Sequence, residues 1–144
     1  MHTRLKVVIL SLILIFSFNK LFAESIPVIV IAPGKTSQAL NTVGSTVTVI
    51  TGDQIRESSH FSLANIIAES STSTNSFQMG GIGTNTGIQL RGIEKRYSTV
   101  YVDGVKMLDP SSSDGSFYME NIMKNSIDRV EILKGAQSSL YGSN

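Results

Sequence analysis

Residues 100–107 read Val-Tyr-Val-Asp-Gly-Val-Lys-Met, two short runs rich in β-branched and aromatic residues on either side of Asp103-Gly104. An Asp-Gly pair readily takes the positive backbone angles of a tight turn. Flanked by alternating apolar residues, it is the strongest local signal for a β-hairpin. The sequence therefore predicts two antiparallel strands joined by a two-residue turn.

Short elements are predicted on both sides of this hairpin. Residues 45–50 alternate hydroxyl and apolar side chains, as in a half-buried strand, and residues 61–69 space their apolar side chains as in a helix. Residues 70–87 are polar and glycine-rich and predict an irregular loop, and residues 127–133 predict another strand. With no internal repeat, this order predicts an α+β domain with a small mixed sheet, short helices and long loops.

The composition of the 144-residue chain argues against several classes of protein. Its 12 Lys and Arg nearly balance its 11 Asp and Glu, so no basic surface indicates nucleic acid as a partner. Cysteine is absent, which excludes disulfides, a thiolate nucleophile and Cys-based zinc sites. His2 and His60 are the two histidines, too few for a His-rich metal site.

Two glycine-containing stretches are similar to nucleotide-binding motifs but lack an essential feature. Residues 33–36 read Pro-Gly-Lys-Thr, yet Ile29 stands where a phosphate-binding loop needs glycine. Residues 81–87 carry three glycines, but the last is one position late and a predicted strand follows where a helix is needed. We therefore expect no cofactor and no enzymatic activity.

The first 23 residues have the three parts of a secretory signal peptide. Arg4 and Lys6 precede the mostly apolar residues 7–18, and Ala23 offers a small residue for cleavage. As a helix, the apolar run would span about 18 Å, short of the roughly 30 Å hydrocarbon core. We expect residues 1–23 to direct export; the alternative is an uncleaved membrane anchor.

A short apolar run follows near the start of the exported chain. It consists of Val28, Ile29, Val30, Ile31 and Ala32. Pro27 restricts this run to a sheet edge or a free segment, and Pro33-Gly34 ends it. An exposed apolar strand is an aggregation liability unless a partner pairs with it, so both an ordinary first strand and a partner-binding strand stay open.

Three stretches together resemble the plug domain of TonB-dependent outer-membrane receptors. They are Leu-Arg-Gly-Ile at 90–93 with Val-Tyr-Val-Asp-Gly-Val at 100–105, Ile-Asp-Arg-Val-Glu-Ile-Leu-Lys-Gly at 127–135, and Ser-Ser-Leu-Tyr-Gly-Ser-Asn at 138–144. The resemblance covers nearly all of residues 26–144. It implies a plug globule with a mixed four-stranded sheet at residues 38–144, preceded at 24–37 by a segment similar to the TonB box and a linker.

The resemblance implies a function in uptake across the cell outer membrane, with ferric siderophores or cobalamin as ligands. The plug would gate a barrel of about 22 strands. The TonB C-terminal domain would bind residues 28–32 in the periplasm. Because the chain ends before the last plug strand and the barrel, we expect a truncated form that cannot transport alone and is periplasmic if no barrel is present. The alternative is a free-standing soluble periplasmic binding or regulatory module with a plug-like fold.

The resemblance also implies roles for individual side chains. Arg91, Glu131 and Lys134 would face charged groups on the inner barrel wall and hold the plug in place. For Arg91 and Lys134, a solvated charge at a strand end is the alternative. Two loops would form the floor of the ligand site, with Phe77, Gln78, Asn85, Ser112 and Phe117 as the candidate contacts.

Overall fold

Residues 27–142 are described by the computed structural model, and within them eight short strands alternate with three short helices. The predicted signal peptide, residues 1–23, lies outside the described residues. The strands are β1 (Ile29–Val30), β2 (Gln38–Ala39), β3 (Thr46–Thr51), β4 (Thr74–Gln78), β5 (Thr86–Leu90), β6 (Val100–Val102), β7 (Val105–Met107) and β8 (Arg129–Lys134). The α-helices are α1 (Gly52–Glu57), α2 (Leu63–Ser70) and α3 (Ser138–Tyr141), and 3-10 turns lie at Leu40–Thr42, Lys95–Tyr97 and Lys124–Ser126.

The described strands pair two by two, and each pair is antiparallel: β1 with β2, β3 with β8, β4 with β5, and β6 with β7. The predicted α+β class and small plug globule are confirmed. The expected mixed four-stranded sheet is wrong for residues 27–142, where four separate pairs take its place. The β3–β8, β4–β5 and β6–β7 pairs meet through apolar side chains of a shared core. The β1–β2 pair lies outside that cluster and is held to β8 by hydrogen bonds with the side chains of Arg129 and Glu131.

The core is one cluster of apolar side chains drawn from strands β3, β5 and β8, from helices α1 and α2, and from residue 119. Its members are Ile50, Ile55, Leu63, Ala64, Ile66, Ile67, Ile88, Met119 and Ile132. Helix α2 contributes four of them, which confirms the helical spacing predicted for residues 61–69. Helix α1 begins at a capping box in which Thr51 and Gln54 satisfy each other's backbone amides.

The predicted hairpin at residues 100–107 is confirmed. Val102 pairs with Val105, and Asp103 and Gly104 between them have φ angles of 49° and 82°. Two successive positive φ angles define the type I′ turn that matches the twist of a two-residue hairpin. Residues 70–87 differ from the prediction, because β4 and the first residues of β5 form a second hairpin where an irregular loop was expected.

Candidate functional site

Residues 28–32, the segment similar to the TonB box, are docked on the rest of the domain. Strand β1 pairs with β2, and the amide of Leu40 donates to the carbonyl of Val28 at 2.8 Å. Val30 is fully buried, whereas Val28, Ile29 and Ile31 are each about half exposed. Within the structure this segment is therefore an ordinary edge strand that points one side chain inward.

The alternation of side chains along strands β3 and β8 determines which of their faces lies beneath this segment. Strands β3 and β8 place Ile50, Val130 and Ile132 on the face that meets the core. Side chains alternate along a strand, so Val49 and its partner Glu131 lie on the opposite face. That opposite face carries the docked segment, because the Glu131 carboxylate bonds it directly.

Glu131 holds two consecutive amides of the docked segment. One oxygen of its carboxylate accepts hydrogen bonds from the backbone N–H of Ile31 at 2.9 Å and of Ala32 at 2.7 Å. The other oxygen accepts from Nε of Arg129 at 2.9 Å. The Glu131 side chain is 12% exposed, so these contacts are largely shielded from water. An ionised acceptor that is partly desolvated makes stronger hydrogen bonds than a neutral one.

Two further side chains bond the carbonyls of the segment. Arg129 donates to the carbonyl oxygen of Ile29, and the Tyr141 hydroxyl donates to that of Ala32. Burial raises the pKa of the Tyr141 phenol, with smaller contributions from Tyr101 and Glu131, so the hydroxyl stays a donor at neutral pH. We call Arg129, Glu131 and Tyr141 the latch; all three belong to residues 129–141, about 100 positions from the segment they hold.

Two of the candidate barrel contacts meet at Ser73. The amide of Arg91 donates to the Ser73 carbonyl at 2.6 Å, while Nζ of Lys134 donates to the hydroxyls of Ser71 at 2.6 Å and Ser73 at 2.9 Å. Arg91 is exposed and has a φ of 54° in the turn after β5. Lys134 is only 8% exposed, and no carboxylate of residues 27–142 pairs with it. Glu131 lies on the other face of β8, away from these two.

The candidate ligand contacts fall on two neighbouring loops. Phe77, Gln78 and Asn85 lie at the tip of the β4–β5 hairpin, where Phe77 is 44% exposed. Ser112 lies in the loop between β7 and Met119, and its hydroxyl donates to Asp114 at 2.6 Å. Phe117, by contrast, is half-buried and packs against the core.

A backbone hydrogen bond joins the two loops. The amide of Met119 donates to the carbonyl of Thr86 at 2.7 Å. This bond holds the end of the second loop beside the first residue of β5, where the hairpin tip ends. Met79 and Ile82 at that tip are 66% and 92% exposed, so these apolar residues face outward. The structure thus places both predicted loops side by side.

Sequence analysis did not predict that Arg129 or Tyr141 contacts residues 28–32. The spacing of Arg129 and Glu131 could have indicated that both side chains share one face of a strand. Nothing in the sequence pattern indicates that this face receives the N-terminal segment.

The described chain offers few other kinds of site. Between residues 27 and 142, no group of three His, Asp or Glu side chains is placed to hold a metal ion. Over the same range, the structure contains no helix whose length and apolarity would let it span a membrane.

Comparison with known sequences identifies the family. Residues 39–144 match the TonB-dependent Receptor Plug Domain, and the chain belongs to this family of receptor domains, which are not enzymes. Residue 39 lies in β2, so the match takes in the domain and leaves out the docked segment at 28–32.

Three curated relatives are vitamin B12 transporters called BtuB. The protein of Vibrio vulnificus strain CMCP6 is 30% identical over 115 residues, which is 80% of this chain. Those of Photobacterium profundum and of V. vulnificus strain YJ016 are each 27% identical, over 81% and 80% of this chain. The chain spans about 18% of the length of each of these relatives.

Proposed function

We propose that this chain is the gating plug of a TonB-dependent outer-membrane receptor, exported by residues 1–23 and acting in uptake of cobalamin or a ferric siderophore. The observation that carries the proposal is the docked segment at 28–32, a short strand held against a plug-family domain by a few polar contacts. The relatives named as vitamin B12 transporters favour cobalamin as the first ligand to test. Transport would require an enclosing barrel of about 22 strands.

The docked segment is suited to strand addition by the TonB C-terminal domain. Its exposed side chains, at Ile29 and Ile31, alternate with the buried Val30. A partner strand would obtain affinity from main-chain hydrogen bonds and selectivity from those alternate side chains. Binding would compete with the latch for the same backbone groups, so engagement of TonB would undock the segment.

The remaining candidate residues take roles inside the barrel. Arg91 and Lys134 would pair with acidic groups of the barrel wall, and the buried ammonium of Lys134 has hydroxyl partners but no opposite charge among the described residues. Such a charge is costly to bury without a counter-charge. Glu131 would reach a barrel residue only after the docked segment has left it.

The two adjoining loops would form the floor of the ligand site. Phe77, Gln78 and Asn85 present apolar and amide groups at one tip, and Ser112 presents a hydroxyl on the neighbouring loop. Phe117 would support that loop from the core side.

Calorimetry with a synthetic peptide of residues 24–36 tests the TonB proposal. We expect measurable binding to the TonB C-terminal domain by strand addition. An Ile31→Pro peptide is the matched control, because proline removes one backbone donor. It should bind about fivefold more weakly or worse, since one net hydrogen bond is worth roughly 1 kcal/mol. Absence of heat with the natural peptide, or equal binding of both peptides, would contradict strand addition at this segment.

A further inference from the structure

Lys95 bridges the two loops that carry the candidate ligand contacts. It opens the 3-10 turn at Lys95–Tyr97, the next element after β5, and its Nζ donates to the Tyr118 hydroxyl at 2.7 Å. The same ammonium is 3.4 Å from Oδ2 of Asp114 and 4.4 Å from the centroid of the Tyr118 ring. Its side chain is 25% exposed and that of Asp114 30%, so the contact is partly shielded. We call Lys95, Asp114 and Tyr118 the clasp.

The stem of Lys95 crosses the β4–β5 hairpin at a glycine. Gly87 is buried in β5 opposite Phe77, and a Cβ at Gly87 would lie 3.3 Å from Cδ of Lys95. That distance is tighter than most Cβ contacts. A side chain at position 87 would therefore crowd the lysine stem, and glycine leaves room for it. The aliphatic part of Lys95 therefore rests on one loop while its charged end reaches the other.

Asp114 organises the loop on the receiving side. Its Oδ1 accepts from the Ser112 hydroxyl at 2.6 Å and from the Ser116 amide at 3.0 Å. The hydrogen bond from Ser112 is the largest of several that hold the pKa of Asp114 well below its ordinary range. The carboxylate thus stays ionised beside Lys95 and connects that lysine to Ser112, a candidate ligand contact.

We propose that Lys95 is a positioning residue that holds residues 111–117 against the β4–β5 hairpin, so that the two loops present one continuous ligand-facing surface. This inference rests on the proposed function for its ligand, but the clasp itself can be tested without one. Lys95 does not contact ligand in this assignment; it acts through Asp114 and Tyr118.

The protonation states of Lys95 and Asp114 set the pH range over which the clasp is fully formed. The hydrogen bond to Tyr118 raises the pKa of Lys95 above its ordinary value of 10.5, so this contribution is complete below that pH and is lost as pH rises further. The pKa of Asp114 is lowered from 3.8, so its contribution is complete above that pH and is lost as pH falls through the lower folded-state value. Between those limits the clasp should not depend on pH.

Hydrogen exchange of the full chain tests the clasp. Lys95→Met keeps the stem and removes the charge, and we expect amides of residues 111–117 to exchange about tenfold faster, as the loss of a hydrogen bond to a charged group implies. Lys106→Met on β7 is the matched control and should leave this loop unchanged. Tyr118→Phe removes only the hydroxyl and should give a smaller increase in the same amides. Amides of helix α2 report global folding, so a loop-specific change is separable from unfolding of a variant.

The ratio of loop exchange rates between Lys95→Met and the wild type provides the pH readout. It should stay level above pH 3.8 and decrease only as pH falls through the lowered folded-state pKa of Asp114, where the carboxylate beside Lys95 loses its charge. An unchanged loop in both Lys95→Met and Tyr118→Phe, or a ratio that already decreases above pH 3.8, would overturn the assignment.

Cyanocobalamin added to the full chain tests the link to ligand. We expect it to slow exchange in both loops of the wild type and, in Lys95→Met, to protect only the hairpin tip. Equal protection of both loops in the two proteins would overturn the positioning role. No protection in the wild type would count against cobalamin as the ligand of the proposed function, while the ligand-free exchange rates would still decide whether the clasp exists.

Discussion

Replacing Ile66 with alanine is expected to destabilise the domain by about 2–5 kcal/mol, the usual range for truncating a fully buried isoleucine. Ile66 is 1% exposed and lies on helix α2 in the middle of the core cluster. The whole free energy of unfolding of a domain is only about 5–15 kcal/mol, and small domains tend to the low end. We therefore expect a large shift in the urea midpoint of Ile66→Ala, followed by circular dichroism, with an unchanged slope.

Ile82→Ala is the matched control for this measurement. It is the same chemical truncation at a side chain that is 92% exposed at the tip of the β4–β5 hairpin. The change in unfolding free energy should stay within about 0.5 kcal/mol, as for most surface substitutions. If the two variants unfolded at the same urea concentration, Ile66 would not be buried in the core around helix α2.

Elements with strong local signals were predicted correctly from sequence. The Asp103-Gly104 turn has a backbone requirement that few dipeptides meet, so it identifies its hairpin without tertiary information. Helix α2 follows from the spacing of its apolar residues, and β8 from the β-branched run around Val130 and Ile132. In each case the local preference and the tertiary burial agree.

Strand β4 was missed because its stability is not local. Its sequence, Thr-Asn-Ser-Phe-Gln, has no apolar alternation, and its one aromatic residue, Phe77, is 44% exposed. Its buried residue is polar: the Thr74 hydroxyl donates to that of Ser71 at 2.9 Å. Packing against helix α2 and pairing with β5 make the strand, and neither is visible in a window of five residues.

Only part of the candidate site was predicted from sequence, again because the residues that form it are far apart along the chain. Residues 28–32 were predicted to be either an ordinary first strand or a partner-binding strand, and Glu131 was predicted to face the barrel wall. The pairing of the two depends on contacts between positions about 100 residues apart, which no periodicity records. The clasp at Lys95 could not be predicted for the same reason, since the Tyr118 hydroxyl that accepts its hydrogen bond lies 23 positions along the chain.

Replacing Glu131 with alanine is expected to release residues 29–32 from the domain. The variant loses the acceptor for the amides of Ile31 and Ala32 and leaves Arg129 without its carboxylate. A hydrogen bond to a charged group is worth about 1.5–3 kcal/mol, so even one such bond lowers the docked-to-undocked ratio by about tenfold. Exchange of the Ile31 and Ala32 amides in the full chain should accelerate accordingly, while that of helix α2 stays unchanged.

If docking competes with TonB, the same substitution should strengthen binding of the full chain to the TonB C-terminal domain. The apparent Kd equals the intrinsic Kd divided by the fraction of chains in the undocked, binding-competent state. A tenfold lower docked-to-undocked ratio therefore lowers the apparent Kd by up to about tenfold. Glu131→Gln keeps one acceptor oxygen and should fall between the wild type and Glu131→Ala. Glu57→Ala, at an exposed position on helix α1, is the control and should change neither quantity.

Comparison of the peptide and the full chain separates the two parts of this argument. A peptide of residues 24–36 has no latch, so its affinity measures strand addition alone, and the ratio between peptide and chain measures the cost of undocking. One outcome is that the peptide binds tightly while the wild-type and Glu131→Ala chains bind with identical Kd values. TonB would then remain the partner, and the latch would not compete with it. Faster amide exchange in Glu131→Ala without binding of either peptide or chain would retain the latch and eliminate TonB. Because Arg129 and Glu131 of the latch lie on β8, a pull on the N-terminal segment would load this strand as well as β2, and β8 also carries Ile132 of the core and the buried Lys134.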